Sequence, residues 1–335
     1  MYSAWIEVNY ANGFYRSFSK TLRFFFFRSL ISVGDVIYFL AIGWFVWKMK
    51  KFITQIIRRK ITWVLIQNKL FRALIILLLL YVIFNLFWGL NYNRKSVSSN
   101  LHLEQIHMDT PSLRSLQLLL LNKVNESKLV LMGSGKKYPS NKELFLRARD
   151  CYLQSARQFS FIQYRYVSVK SSLYGWWGNY LGFTGYYNPF TGEAQVNTSI
   201  PEFIRPYTTL HEMAHQLGYA KEEEANFVGY LAAIGSTDTL FHYSAYLDLF
   251  VYANRELYLV DSVSAKYAAT QLLPAVKSDI KEWRNFVMLH RNPLEPVITW
   301  LYGNYLKANQ QPNGMHSYNE VILDLMAFYK KYGRI

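Results

Sequence analysis

Cysteine is nearly absent: Cys151 stands alone in 335 residues. No disulfide framework and no cysteine-based metal site can form within the chain. Acidic side chains are scarce at the front. Residues 1–90 hold only Glu7 and Asp35 against twelve lysines and arginines, a net +10 out of the chain's +15. The basic excess therefore sits among apolar segments, where membrane topology and anionic lipid account for it. A nucleic-acid partner is not expected. The start lacks a charged stretch followed by an apolar core and a cleavage site, so it does not read as a signal peptide. Internal repeats and low-complexity linkers are missing too. Residues 133–140, GSGKKYPS, lack a G-K-S/T ending and precede no strand, which excludes a phosphate loop.

What is present begins with two apolar runs, residues 31–49 and 70–90. Each has the roughly 20 residues that cross a bilayer core as a helix. Between them, residues 48–60 carry Lys48, Lys50, Lys51, Arg58, Arg59 and Lys60 and no acid. The positive-inside rule places this loop in the cytoplasm and everything after Leu90 on the outer side. Trp88 and Tyr92 suit an interfacial belt. In residues 1–30, Phe24 to Phe27 lie among Arg16, Lys20, Arg23 and Arg28, a pattern suited to a helix lying in the interface. Three regions are expected: an interfacial segment (1–30), two transmembrane helices (31–90) and an extracytoplasmic domain (91–335).

In that domain, helical patterns cover 111–124 and 141–158, and residues 164–171 alternate as a strand. Residues 182–188 and 193–197 flank Asn188-Pro189-Phe190-Thr191-Gly192, which has hairpin-turn chemistry. Helices are expected over 227–234, 239–257, 262–289, 296–309 and 317–332. The aromatics Tyr243, Tyr246, Tyr252, Trp283, Trp300, Tyr302 and Tyr305 read as core.

The chemistry lies in residues 210–230, LHEMAHQLGYAKEEEANFVGY. His211, Glu212 and His215 form H-E-x-x-H. Residues four apart stand one above the other on a helix face, so two imidazoles can grip one metal ion beside a carboxylate. Two neutral imidazoles and a carboxylate with one open position suit Zn²⁺. Gly218 stops this helix, and a second opens with Glu222, Glu223 and Glu224, one of which completes the metal shell. Glu212 is the candidate general base. Tyr219, His242, Tyr243 and Tyr246 are possible oxyanion donors, though no spacing singles one out.

HEMAH resembles the zincin metallopeptidases, and EEEAN is similar to the E-x-x-x-D/N signature of their glutamate-liganded branch, the gluzincins. The resemblance implies Glu222 as third ligand, with Glu224 as the alternative, and Asn226 as the group that orients an imidazole. It also implies an edge strand upstream of HEMAH that pairs with a peptide. The layout FWGLNYNR, YYNPFTGEAQVN and HEMAHQLGYAKEEEANF resembles a bacterial membrane-protein family known only as a domain of unknown function. The fold it implies is mainly α: two N-terminal transmembrane helices, then a zincin-like α+β domain with a small sheet and a helical C-terminal half. The expected activity is zinc-dependent hydrolysis of a peptide or protein at the bacterial inner membrane, on the periplasmic side. The competing reading is a non-catalytic membrane protein whose metal serves stability or a partner. An intramembrane protease is excluded, since HEMAH lies over 100 residues past the last apolar run.

Overall fold

The computed structural model describes residues 2–58, 62–135 and 137–335. A short α1 (Tyr2–Trp5) and a π-helical turn, Ile6–Tyr15, lead into α2 (Arg16–Phe26). Two long helices follow, α3 (Val33–Ile57) and α4 (Trp63–Phe87). Each begins at a hydroxyl cap: Ser32 accepts from the Asp35 N–H and Thr62 from the Leu65 N–H. Among the described residues, α4 is the one helix long and apolar enough to cross a membrane, and its apolar stretch is wholly unburied. Of the expected pair of spans, this bears out the second. α3 does not end at the basic stretch but runs through it to Ile57, so Lys48, Lys50 and Lys51 are helical. Arg59 and Lys60 of the expected loop lie outside the described residues. α4 begins at Trp63, earlier than residue 70, and ends at Phe87.

The chain then turns through a 3-10 segment, Gly89–Asn93, and enters α5 (Val97–Asn100), α6 (Thr110–Ser134) and α7 (Asn141–Ser155). α6 outruns its expected end at 124 and stops where Gly135 takes a left-handed conformation. Next come β1 (Val169–Ser171), α8 (Gly175–Leu181), β2 (Gly185–Asn188) and β3 (Glu193–Val196). The strand expected over 164–171 shrinks to its last three residues, since Tyr166 adopts a positive φ of 57°. The hairpin forms as expected. Asn188 Oδ1 accepts from the Phe190 and Thr191 N–H groups, and Gly192 closes the turn at φ 68°. The sheet order is β1-β3-β2, with β1 parallel and β2 antiparallel to β3.

The remaining chain is helical: α9 (Arg205–Gln216), α10 (Glu222–Ile234), α11 (Thr239–Val260), α12 (Ser262–Thr270), α13 (Pro274–Leu289), α14 (Glu295–Ala308) and α15 (Val321–Tyr332). The helix expected over 262–289 is two helices, because Pro274 cannot continue the first and starts the second. α9 is buried from Pro206 to Gln216, and α10 nearly throughout. The main core gathers around them: Leu210, Met213, Phe227, Tyr230, Phe241 and Phe250.

A second core forms from Ile6, Tyr10, Tyr15, Trp88, Tyr92 and Ala220. It corrects one expectation. Trp88 and Tyr92, assigned to an interfacial belt, are each only 5% exposed and pack against the domain. The first thirty residues also pack on the end of α4. The Tyr10 hydroxyl donates to Leu86 O (2.8 Å), and the Phe18 ring packs tilted against Phe87 (4.5 Å). The outward side still shows Phe14, Phe24 and Phe25 to the surroundings.

Candidate metal centre

The central helix α9 places His211 and His215 one turn apart on one face. At Gly218 the chain reverses in the left-handed region, φ 87°, and its N–H donates to His215 O (2.9 Å). A Cβ at residue 218 would stand 2.9 Å from the Tyr15 ring and 3.0 Å from Asn91 Oδ1, so the reversal needs glycine twice over. α10 then runs back along α9. Gly229 permits the approach, since a Cβ there would already be 3.3 Å from the His211 N. Glu222, at the start of α10, arrives opposite the two rings.

The geometry is tight. His211 Nε2 and His215 Nε2 are 3.1 Å apart, and Glu222 Oε2 lies 3.1 Å from the first and 3.6 Å from the second. All three residues are buried. The opposite ring nitrogens are committed elsewhere. His215 Nδ1 donates to the Tyr219 carbonyl (2.7 Å), which can only accept, and His211 Nδ1 donates to Asn226 Oδ1 (2.7 Å). Those bonds assign the protons to Nδ1 in the neutral rings and leave both Nε2 lone pairs facing inward. Two lone pairs and a carboxylate oxygen cannot satisfy one another; a proton or a metal ion between them would. The electrostatics favour positive charge at that centre. Burial works against both charges, yet the Glu222 hydrogen bond and the charges of Glu212 and Glu222 lift the His211 pKa to about 9. The same contacts hold Glu222 well below the usual carboxylate range despite its burial. A nitrogen, nitrogen, oxygen donor set with protons fixed on the far side suits Zn²⁺.

Glu212 differs from Glu222. Burial pushes its pKa up to about 7, against the pull of His211 and His215. Its Oε2 is buried without a hydrogen-bond partner. The side chain lies under β2: a Cβ on Gly185 would be 2.6 Å from Glu212 Oε1. β2 pairs only with β3 and is the edge of the sheet. Thr184 O accepts from Asn197 N and Asn188 O from Gly192 N, so alternation turns the backbone groups of Gly185 and Tyr187 away from β3.

The structure brings together His211, His215, Glu222, Asn226 and Glu212. It does not bring in Glu224, whose carboxylate accepts from the Val97 N–H at 2.6 Å on another face of α10. Two residues along a helix from Glu222 is more than half a turn round; four, as at Asn226, returns to the same side. Three of the possible oxyanion donors are spent elsewhere. His242 bonds to Ser236 O, Tyr243 to Asp279 and Tyr246 to Ile335 O. Tyr219 lines a small cavity with Asn91, Arg94 and Glu224, and its hydroxyl is buried without a hydrogen-bond partner among the described residues. The phenol that does reach the site is Tyr302 of α14, expected only as core; it donates to Glu222 Oε1 at 2.9 Å.

Sequence reasoning also missed how the front of the chain braces the site. Glu7 makes a two-pronged pair with Arg94 (2.8 and 3.1 Å). Arg94 in turn donates to Leu217 O and lies over the Tyr219 ring, clamping the turn behind His215. Tyr15 bonds to Tyr187 of β2, Ser19 bonds to Gln216 O, and Trp88 sets its ring edge-on to His215. Asp35, buried at the first turn of α3, accepts from the Leu173 N–H (2.7 Å) and from the Tyr186 hydroxyl. The signal was there: these are the two acids in an otherwise basic and apolar stretch, and acids there must be paired.

A family profile described as "Protein of unknown function (DUF3810)" matches residues 10–326. No curated protein and no solved structure matches the chain.

Proposed function

The chain belongs to that family of unknown function, and from the geometry of its metal centre we propose that it is a membrane-anchored, zinc-dependent hydrolase acting on peptides. One observation carries the proposal: His211 Nε2, His215 Nε2 and Glu222 Oε2 converge, and a buried carboxylate with an unpartnered oxygen, Glu212, stands next to them. A purely structural metal has no use for that fourth group.

When bound, Zn²⁺ supplies a Lewis acid and brings the pKa of a coordinated water to about 7. Glu212 accepts the proton of the attacking water and returns it to the leaving amine. Asn226 and the Tyr219 carbonyl hold the two imidazoles by their Nδ1 protons, and Tyr302 holds the free oxygen of Glu222. The outward backbone groups of Gly185 and Tyr187 offer an edge to which an extended peptide can add, beside Glu212. This edge favours a peptide over a compact small molecule.

The anchor is α4 together with α3, whose residues from Ile37 to Trp47 show mostly exposed apolar side chains. Lys48, Lys50, Lys51 and Arg58 lie at the end of α3 farthest from the domain, and on the positive-inside rule this supports a cytoplasmic end and a domain outside the inner membrane. Chelation tests the reading. The purified full-length protein in detergent should cleave an unstructured polypeptide, stop on removal of divalent metal, and recover on addition of zinc. Cleavage indifferent to chelation would refute it.

A further inference from the structure

The domain carries a large apolar surface that its own fold does not cover. On α14, Val297, Trp300 and Leu301 are exposed at helical spacings of three and four, while Tyr302 and Leu306 face inward. The helix thus turns an apolar stripe outward, the reverse of a helix on a soluble domain. On α8 and two residues before it, Leu173, Trp176, Trp177 and Leu181 repeat the pattern. Both stretches are free of charge. No residue from 171 to 192 is charged, and none from 296 to 306. The two elements are joined: Asn292 donates to Tyr180 O (2.7 Å), and Phe183 meets the Tyr302 ring edge-on at 5.8 Å.

This surface lies at one end of the long helices. The Tyr305 ring of α14 faces the Phe84 ring in the last turn of α4 (6.5 Å), and its hydroxyl bonds to Tyr92 (3.1 Å). The Tyr174 hydroxyl, just before α8, donates to Asp35 O in the first turn of α3 (2.8 Å). Both elements are therefore fixed where α3 and α4 leave the domain. The exposed Phe14, Phe24 and Phe25 of the N-terminal segment are at the same end, tied there by Phe18 against Phe87. Apolar surface of this extent, uncharged, rich in tryptophan and continuous with a helix apolar enough to cross a membrane, suits one environment.

We propose that the α8–α14 face is a bilayer-docking surface that sinks into the interfacial layer beside the spans. Because Phe183 and Tyr302 link this face directly to Glu222, docking holds the metal centre near the lipid surface. The inference rests on the placement of the apolar face and not on the hydrolase reading; a protein without hydrolytic activity would still show it.

Spin labels test the depth. Cys151, the sole native thiol, is 1% exposed and leaves the wild type unlabelled. Leu301→Cys and Trp177→Cys are made separately in the full-length protein, and Val263→Cys serves as reference on α12, which packs on α6 and α11. Each is labelled and reconstituted into phosphatidylcholine–phosphatidylglycerol vesicles. At 301 and 177, lipid-soluble oxygen should relax the label several-fold more than a water-soluble nickel chelate; at 263 the order should reverse. Nickel-dominated relaxation at both test positions would overturn the proposal. So would protection from both agents, which would mean that a second copy of the chain covers the face.

Discussion

Glu212→Gln is expected to lower peptide hydrolysis about 10²- to 10⁴-fold, the range that a positioned general base contributes, with no loss of bound metal. The two side chains have the same shape. Glu212 is 4% exposed, and its Oε2 makes no hydrogen bond that an amide would break. His211, His215 and Glu222 keep their positions, so the cation site stays intact. Only the capacity to take a proton from water is lost. Turnover measured at saturating substrate, beside metal content on the same sample, separates the two effects. Full activity in this variant would assign Glu212 a packing role and remove the base from the mechanism.

Gly185→Ala should reduce kcat/KM about 10²-fold, the order expected when a reacting group is displaced by an ångström. The added Cβ would lie 2.6 Å from Glu212 Oε1, 2.7 Å from its Cγ and 2.9 Å from the Gln195 carbonyl. The carbonyl belongs to the neighbouring strand and cannot retreat, so Glu212 or the β2 edge must move. Neither the imidazoles nor Glu222 is touched, and metal content should hold. Gly133→Ala, where nothing lies within 4 Å, is the control. An unimpaired Gly185→Ala enzyme would show that β2 does not constrain the base.

How much of this was written in the sequence depends on distance along the chain. The two histidines and Glu212 were legible because their geometry is that of a single helix turn. Glu222 and Asn226 were legible through resemblance, and their four-residue spacing places them on one face of α10, which separates Glu222 from Glu224. Tyr302 was not legible. It is eighty residues from Glu222, and its hydroxyl is indistinguishable in sequence from those of its aromatic neighbours. The membrane part misled at its edges for a related reason. Hydropathy marks where apolar residues are, not where a helix ends, so α3 continues through its lysines, and Trp88 turns into a core with Tyr15 and Tyr92. Glu7 and Asp35 make the same point from the other side. Each pairs with groups more than eighty residues away, and only the tertiary fold shows that these acids brace the turn behind His215 and the sheet beside Glu212.

Metal content decides the central claim. Full-length protein purified without added chelator, and its His215→Ala counterpart, are compared by elemental analysis. One equivalent of zinc in the wild type and essentially none in the variant is the predicted result. A wild type that holds no divalent metal when zinc is supplied, or a variant that retains it fully, would contradict the assignment of these lone pairs to a metal ion.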